Sequence, residues 1–329
     1  MAFVLIAHAA FSLLLAPDPI ADQPLRRKVL ALTEPYRPRM IIAGDSRAEL
    51  HVRPDVLAES LGWPASAVVN IGMPLCEVSA VLAAYREFSD RFSPHPIMVV
   101  SVSVFSVNDG AITEHYIHDE TVWSLSVVER FRLLPPSRAF LATFLPERGL
   151  VRQLVRGRHI HEDTVMPEFG FVGKSGGDAN RFSHDAVRAQ MSDVQRGWFG
   201  EAQIDAIRWK RFVSDIESLI DESVQLVLLD SPVHPAFWEA IAETPQLYVY
   251  QRFREKIRDV GRRLHIPVLQ YSHTSLGDAD PDAMFYDVTH LSRLGAGRFS
   301  EQLARDLRKL VVAGILEAPG DAHLAARSD

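Results

Sequence analysis

Short apolar runs and stretches of helical period alternate along most of the chain. The runs at 39–43, 66–71, 96–105, 224–229 and 267–271 have the length of strands, and the third is apolar enough to be buried on both faces. Between them, 54–61, 77–92, 203–220, 249–264 and 295–313 repeat with a helical period. In the clearest of these, Ile204, Ile207, Phe212, Ile216 and Ile220 fall near one face. A short helix is predicted ahead of the first strand, at 23–33. Regular alternation of this kind predicts an α/β fold with a parallel sheet and right-handed crossovers.

Residues 111–200 break the alternation. They offer short helical pieces at 126–131 and 137–144, a glycine-rich turn at 173–177, and no strong strand. So long a connection exceeds what a crossover helix needs, and it predicts an insertion packed over the sheet's carboxyl edge as a lid or substrate wall. Trp123, Phe131 and Phe140 beside His159 and His161 suit packing at one end and sugar contact at the other. The pairs His115/His118 and His159/His161 have ligand-like spacing but lack a convergent third ligand, so no metal site is predicted.

Within residues 1–17, Ala2 to Ala16 are almost wholly apolar, broken only by His8 and Ser12 and closed by Pro17. As a helix the stretch spans roughly 23 Å, a little short of a bilayer core. It fits a membrane anchor or the remnant of one, with a buried first helix as the alternative. Residues 18–38 then supply a linker and the short helix. The basic triplet Arg26, Arg27 and Lys28 would by itself place the following domain on the cytoplasmic side. The domain proper is predicted over 39–316, and the tail 317–329 is expected to fray.

Composition narrows the partners. Of 329 residues, 47% are hydrophobic and 23% charged, which is globular. A net charge of -7 argues against nucleic acid as the main partner, since phosphate binding needs a basic surface. The single cysteine, Cys76, excludes an internal disulfide and a cysteine zinc cluster.

Candidate chemistry gathers at strand ends. Gly44-Asp45-Ser46 closes the first run, where open α/β sheets place ligands, and Asp287-x-x-His290 precedes the last helix. A carboxylate and an imidazole three residues apart can share a turn, so the acid can orient the ring while the ring reaches the serine. Each piece has a plainer use: Asp45 or Ser46 can start a helix, and Asp287 can serve a turn. Gly72 after the second strand could turn its N–H toward an oxyanion, and Asn108 after the third could offer its amide. Asp45, Arg47, Asn70 and His234 are the candidates for substrate contact. The nucleophile elbow G-x-S-x-G is absent, because Ala48 stands at its second glycine.

These segments resemble the SGNH (GDSL) hydrolase superfamily over roughly 39–310. Gly44-Asp45-Ser46 and Asp287-x-x-His290 match its first and last blocks, and Asn70-x-Gly72 its second. The third block departs from the pattern, with Ser106 at its glycine and Asn108-Asp109 kept. The apolar N-terminus, Arg47 after the serine and the run His290-Leu291 through Gly295-Ala296 are most similar to the membrane-anchored, cell-envelope O-acyltransferase and esterase branch. The resemblance implies a flavodoxin-like sheet of five parallel strands, in the order 2-1-3-4-5, with helices on both faces. It implies an acyl-serine enzyme with Ser46, His290 and Asp287 as triad and Ser46, Gly72 and Asn108 as oxyanion hole, and no cofactor. It also implies an acylated glycan or small ester as substrate, an extracytoplasmic domain despite the basic triplet, and an envelope-assembly protein as possible partner. A non-catalytic envelope scaffold or glycan-binding protein on the same fold is the competing expectation.

Overall fold

The computed structural model describes residues 24–34, 37–74, 76–108, 168–174, 180–199 and 202–317. Five strands, β1 (Met40–Gly44), β2 (Val68–Asn70), β3 (Ile97–Ser101), β4 (Gln225–Asp230) and β5 (Val268–Gln270), form one sheet in the order β2-β1-β3-β4-β5. All four pairings are parallel, and Ile42 lies opposite both Asn70 and Val99. That order is shared by flavodoxin-like sheets, and it matches the one predicted from the sequence.

Parallel strands need crossovers, and these carry the helices. In chain order they are α1 (Pro24–Thr33), α2 (Ser46–His51), α3 (Pro54–Leu61), α4 (Val78–Glu87), α5 (His184–Val194), α6 (Ala206–Asp221), α7 (Pro235–Ile241), α8 (Pro245–Leu264), α9 (Pro281–Met284) and α10 (Arg293–Val312). Alternate residues of each strand point to opposite faces. Ile41, Ala43, Met98, Val100, Leu226 and Leu228 join a core layer with α1, α4, α6, α7 and α8. Met40, Ile42, Ile97, Val99, Val227 and Leu229 join a second layer with α3 and α10. Both faces are covered, which explains strands that read as unbroken apolar runs.

The differences from the expected bounds have local causes. β3 ends at Ser101, four residues before the apolar run does, because Val104–Val107 forms a buried 3-10 turn that is itself core. The helix expected to run to 92 stops at Glu87, with Phe88 capping it before a second 3-10 turn at Ser89–Arg91. α8 begins at Pro245 rather than 249, a ring whose missing N–H suits a first helical turn. Leu25, Val29 and Leu32 of α1 are buried in the first layer, so the folded unit begins ahead of position 39. Arg26 of the same helix pairs with Glu87 at 2.5 Å, and Lys28 is buried against Glu49. Two members of the basic triplet are thus engaged by the domain itself, which weakens their use as a topology cue.

No helix among the described residues is long and apolar enough to cross a membrane. The apolar segment 1–17, the tail beyond 317, the helical pieces 126–131 and 137–144, Trp123, Phe131, Phe140 and the histidines at 115, 118, 159 and 161 lie outside the described residues. Most of the glycine-rich turn 173–177 does too.

Candidate active site

The carboxyl ends of β1 and β3 set the position of Ser46. Gly44 ends β1 at φ +120°, and a Cβ there would lie 2.4 Å from the Ser101 carbonyl, so only glycine lets the chain turn this close to its neighbour. Asp45 then caps α2, its carboxylate accepting the Arg47 N–H at 2.9 Å and the Ser103 hydroxyl at 2.7 Å. Both uses of the tripeptide therefore hold at once: Asp45 starts a helix, and Ser46, partly exposed, leads it at the sheet's carboxyl edge. Asp45 is buried in this capping role, a correction to its expected contact with substrate.

The second half of the site is a turn closed on its own carboxylate. Asp287 Oδ1 accepts the Thr289 and His290 backbone N–H groups, each at 2.8 Å, and the Thr289 hydroxyl at 3.0 Å. The His290 carbonyl accepts the Tyr286 N–H at 2.8 Å, which completes the loop. His290 Nδ1 then lies 2.8 Å from Asp287 Oδ2, and His290 Nε2 lies 2.8 Å from Ser46 Oγ. With the Nδ1–H donating to the carboxylate, Nε2 is left bare to accept from the serine hydroxyl. A hydroxyl, an imidazole and a carboxylate linked in this way can move a proton off an attacking oxygen.

Burial works against charge on Asp287, but the charge and hydrogen bond of His290 and the two backbone N–H groups outweigh it. The carboxyl is held well below its ordinary range. A depressed carboxyl stabilises the fold above its unfolded pKa, near 4, and that contribution is lost as pH falls toward the lower folded value. Asp287→Asn should therefore cost most near neutrality, and the gap in Tm to the wild type should narrow as pH falls from about 5 to about 2. Calorimetry across that range checks it, and a gap independent of pH would contradict the assignment.

The residues expected to complete the oxyanion hole turn elsewhere. Gly72 donates its N–H to Asn70 Oδ1 at 2.9 Å, and its carbonyl accepts from Lys28 Nζ at 2.5 Å. A Cβ at Gly72 would sit 2.6 Å from Ala48 Cβ, so the glycine admits α2 rather than a ligand. Asn70 is fully buried and spans α2, donating to the carbonyls of Ala48 at 2.7 Å and Val52 at 2.9 Å. Asn108 is buried as well and donates its amide to the Trp198 carbonyl. Gly72, Asn70 and Asn108 thus serve the scaffold around α2 and β3, against their expected roles. The Ser46 N–H remains, as part of the helix's unsatisfied first turn.

Two further candidates are also corrected. Arg47 is fully buried, its guanidinium on Asp230 and on the Ser231 and Val102 carbonyls, with no exposed edge for substrate. His234 caps α7, its Nδ1 accepting from the Ala236 N–H at 3.1 Å, while Nε2 faces Asp282 at 3.1 Å and the ring stacks on Phe182. With both nitrogens engaged, it braces the loop rather than offering a free donor. Its backbone N–H still holds the triad turn, donating to the Val288 carbonyl at 3.1 Å.

His51 was not singled out from the sequence. It ends α2, fully buried, with its ring edge-on to His290 at 6.1 Å between centroids and to Phe299 at 6.4 Å. Burial, with His290 and Arg47 nearby, pushes its pKa well below the usual value, so a neutral imidazole backs the site. Its position six residues into a helix that starts with the serine was the available signal. From 168–199, Gln190 accepts the Val288 N–H at 2.9 Å and the Lys174 carbonyl accepts the Arg293 N–H at 3.0 Å, so these described residues pack beside the triad turn.

Neither a protein-family model nor a curated protein matches the chain.

Proposed function

We propose that this protein is an SGNH-type serine esterase or O-acyltransferase that acts on an O-acylated glycan of the cell envelope. The observation that carries the reading is the continuous link Ser46–His290–Asp287, 2.8 Å at each step, at the carboxyl edge of a parallel sheet. Gly44-Asp45-Ser46, at the end of β1, and Asp287-x-x-His290, in the turn before α10, supply its three groups.

In the proposed reaction Ser46 Oγ attacks the ester carbonyl carbon while His290 Nε2 takes the hydroxyl proton. The carbonyl oxygen becomes an oxyanion facing the Ser46 N–H, and Asp287 steadies the imidazolium. Collapse expels the alcohol, which leaves with the proton from His290, and an acyl-serine remains. Water then gives hydrolysis, or a sugar hydroxyl gives transfer, by the same steps in reverse order. No cofactor enters this chemistry. Residues 1–17 would hold the domain at the membrane on its outer side, where an envelope-assembly protein is the expected partner.

One observation favours a non-catalytic envelope scaffold or glycan-binding protein instead: the Gly72 N–H and the Asn108 amide are both engaged within the fold. A fluorophosphonate probe separates the two readings. Stoichiometric labelling of Ser46, mapped by mass spectrometry, is the expected result for the enzyme. A folded protein that takes no label would leave the scaffold. Product analysis with and without a glycan acceptor then divides transfer from hydrolysis.

A further inference from the structure

The helix that carries Ser46 meets His290 at both ends. Its first residue reaches Nε2 through Ser46 Oγ, and the ring of its last residue, His51, stands at 83° to the His290 imidazole with 6.1 Å between centroids. This second contact is firmly placed. Asn70 donates to the Val52 carbonyl at 2.9 Å, and the Arg53 N–H donates to Ser300 Oγ at 2.8 Å, so the backbone that follows the ring is tied on two sides. Phe299 of α10 packs at a right angle to the same ring, 6.4 Å away.

A histidine is a costly residue in that position. It is fully buried, and neither ring nitrogen has a hydrogen-bond partner among the described residues, although the Thr289 backbone lies close enough to favour a proton on the ring. Buried polar atoms without partners destabilise a fold, and a hydrocarbon of similar volume would remove that penalty. Charge does not offset it. Burial, then His290 and Arg47, push the His51 pKa well below its usual value, against the opposing pull of Asp287. The ionisable groups acting on the ring are thus Arg47 of its own helix and Asp287 and His290 of the triad turn, while α10 presents only the Phe299 ring. Two imidazolium rings 6.1 Å apart would also repel in so dry a site, so a proton held by His290 excludes one on His51.

We propose that His51 is a positioning residue for His290, whose neutral polar ring steadies the imidazolium that forms while Ser46 gives up its proton. The proposal rests on the triad reading and adds to it a group that touches neither the substrate nor the reacting oxygen. A neutral imidazole carries a lone pair and a dipole that compensate a neighbouring cation, which an alkyl side chain lacks. The cation exists on His290 only between attack and collapse. The contact therefore favours the transition state over the resting enzyme, in which Nε2 is bare.

Two substitutions near imidazole in volume test this in the full chain: His51→Leu, without polar atoms, and His51→Gln, with them. Each is assayed on a small acetyl ester beside the wild type. His51→Leu should melt at or above the wild-type Tm yet lose about tenfold in kcat, with KM little changed. The acid limb of its kcat/KM profile should move to lower pH by about half a unit or more, because a protonated base is less well accommodated. His51→Gln should melt below His51→Leu but keep its kcat within about threefold of the wild type. Stability and activity then run in opposite order, which a packing role would not produce. A His51→Leu protein that melts below the wild type, activities that follow Tm, a His51→Leu kcat within about twofold of the wild type, or an acid limb that stays in place would each overturn the inference. Those results, on an active wild type, would leave the triad standing. A wild type that takes no fluorophosphonate label and cleaves no ester would remove the enzyme reading, and this inference with it.

Discussion

Ser46→Ala is expected to lower kcat/KM for a small acetyl ester by at least about 10⁴-fold, while Tm stays within about 2 °C of the wild type. The two readouts separate because the structure divides the tripeptide's labour. Asp45 caps α2 and holds Ser103, whereas the Ser46 hydroxyl bonds only to His290 among the described residues. Removing it takes away the proposed nucleophile and no brace. Asp287→Asn should lose less, by roughly fifty- to a hundredfold, since it misorients the base without deleting it. A Ser46→Ala protein that keeps a tenth of its activity would remove Ser46 from the account, whatever its distance from the imidazole.

The sheet was legible because parallel strands covered on both faces leave apolar runs that stand out between amphipathic helices. Its order did not follow from the alternation, which several doubly wound orders share, but from the resemblance carried by the serine and histidine blocks. Polar residues at strand ends were harder to read. Asn70 and Arg47 look like substrate contacts in a sequence and Asn108 like an oxyanion donor, but strand ends and a short helix leave backbone carbonyls that need donors. Asn70 satisfies two of them from α2, and Arg47 satisfies Val102 and Ser231. Which way such a side chain turns depends on partners far along the chain, such as Trp198 for Asn108 and Asp230 for Arg47, and no local pattern announces those. His51 escaped for a related reason: a buried neutral imidazole carries no spacing rule.

The largest effect on stability is expected at the ion pair directly behind Ser46. Arg47 and Asp230 are 0% and 1% exposed, with Nη1 and Nη2 of the guanidinium each 3.3 Å from Asp230 Oδ1. The same carboxylate accepts from the Tyr250 hydroxyl at 3.1 Å and pairs with Arg254 Nε at 2.9 Å, and Trp198 stacks on the Arg47 guanidinium at 5.0 Å. One anion thus serves two cations in a dry site that joins β4, α2 and α8. Asp230→Asn keeps the shape and removes the charge, which leaves Arg47 buried without a counterion. Breaking such a pair from one side costs about 3–5 kcal/mol, because the remaining charge has lost its compensation and cannot reach water. Urea unfolding should show that loss as a lower midpoint, and esterase activity should fall with it, since Arg47 is bonded in sequence to Ser46. The double variant Arg47→Met/Asp230→Leu should recover much of the stability, because an apolar pair needs no compensation in the same space. A loss below about 1 kcal/mol for Asp230→Asn would put the pair at the worth of a surface contact. The nucleophile would then be held by the Asp45 cap and the Gly44 turn alone.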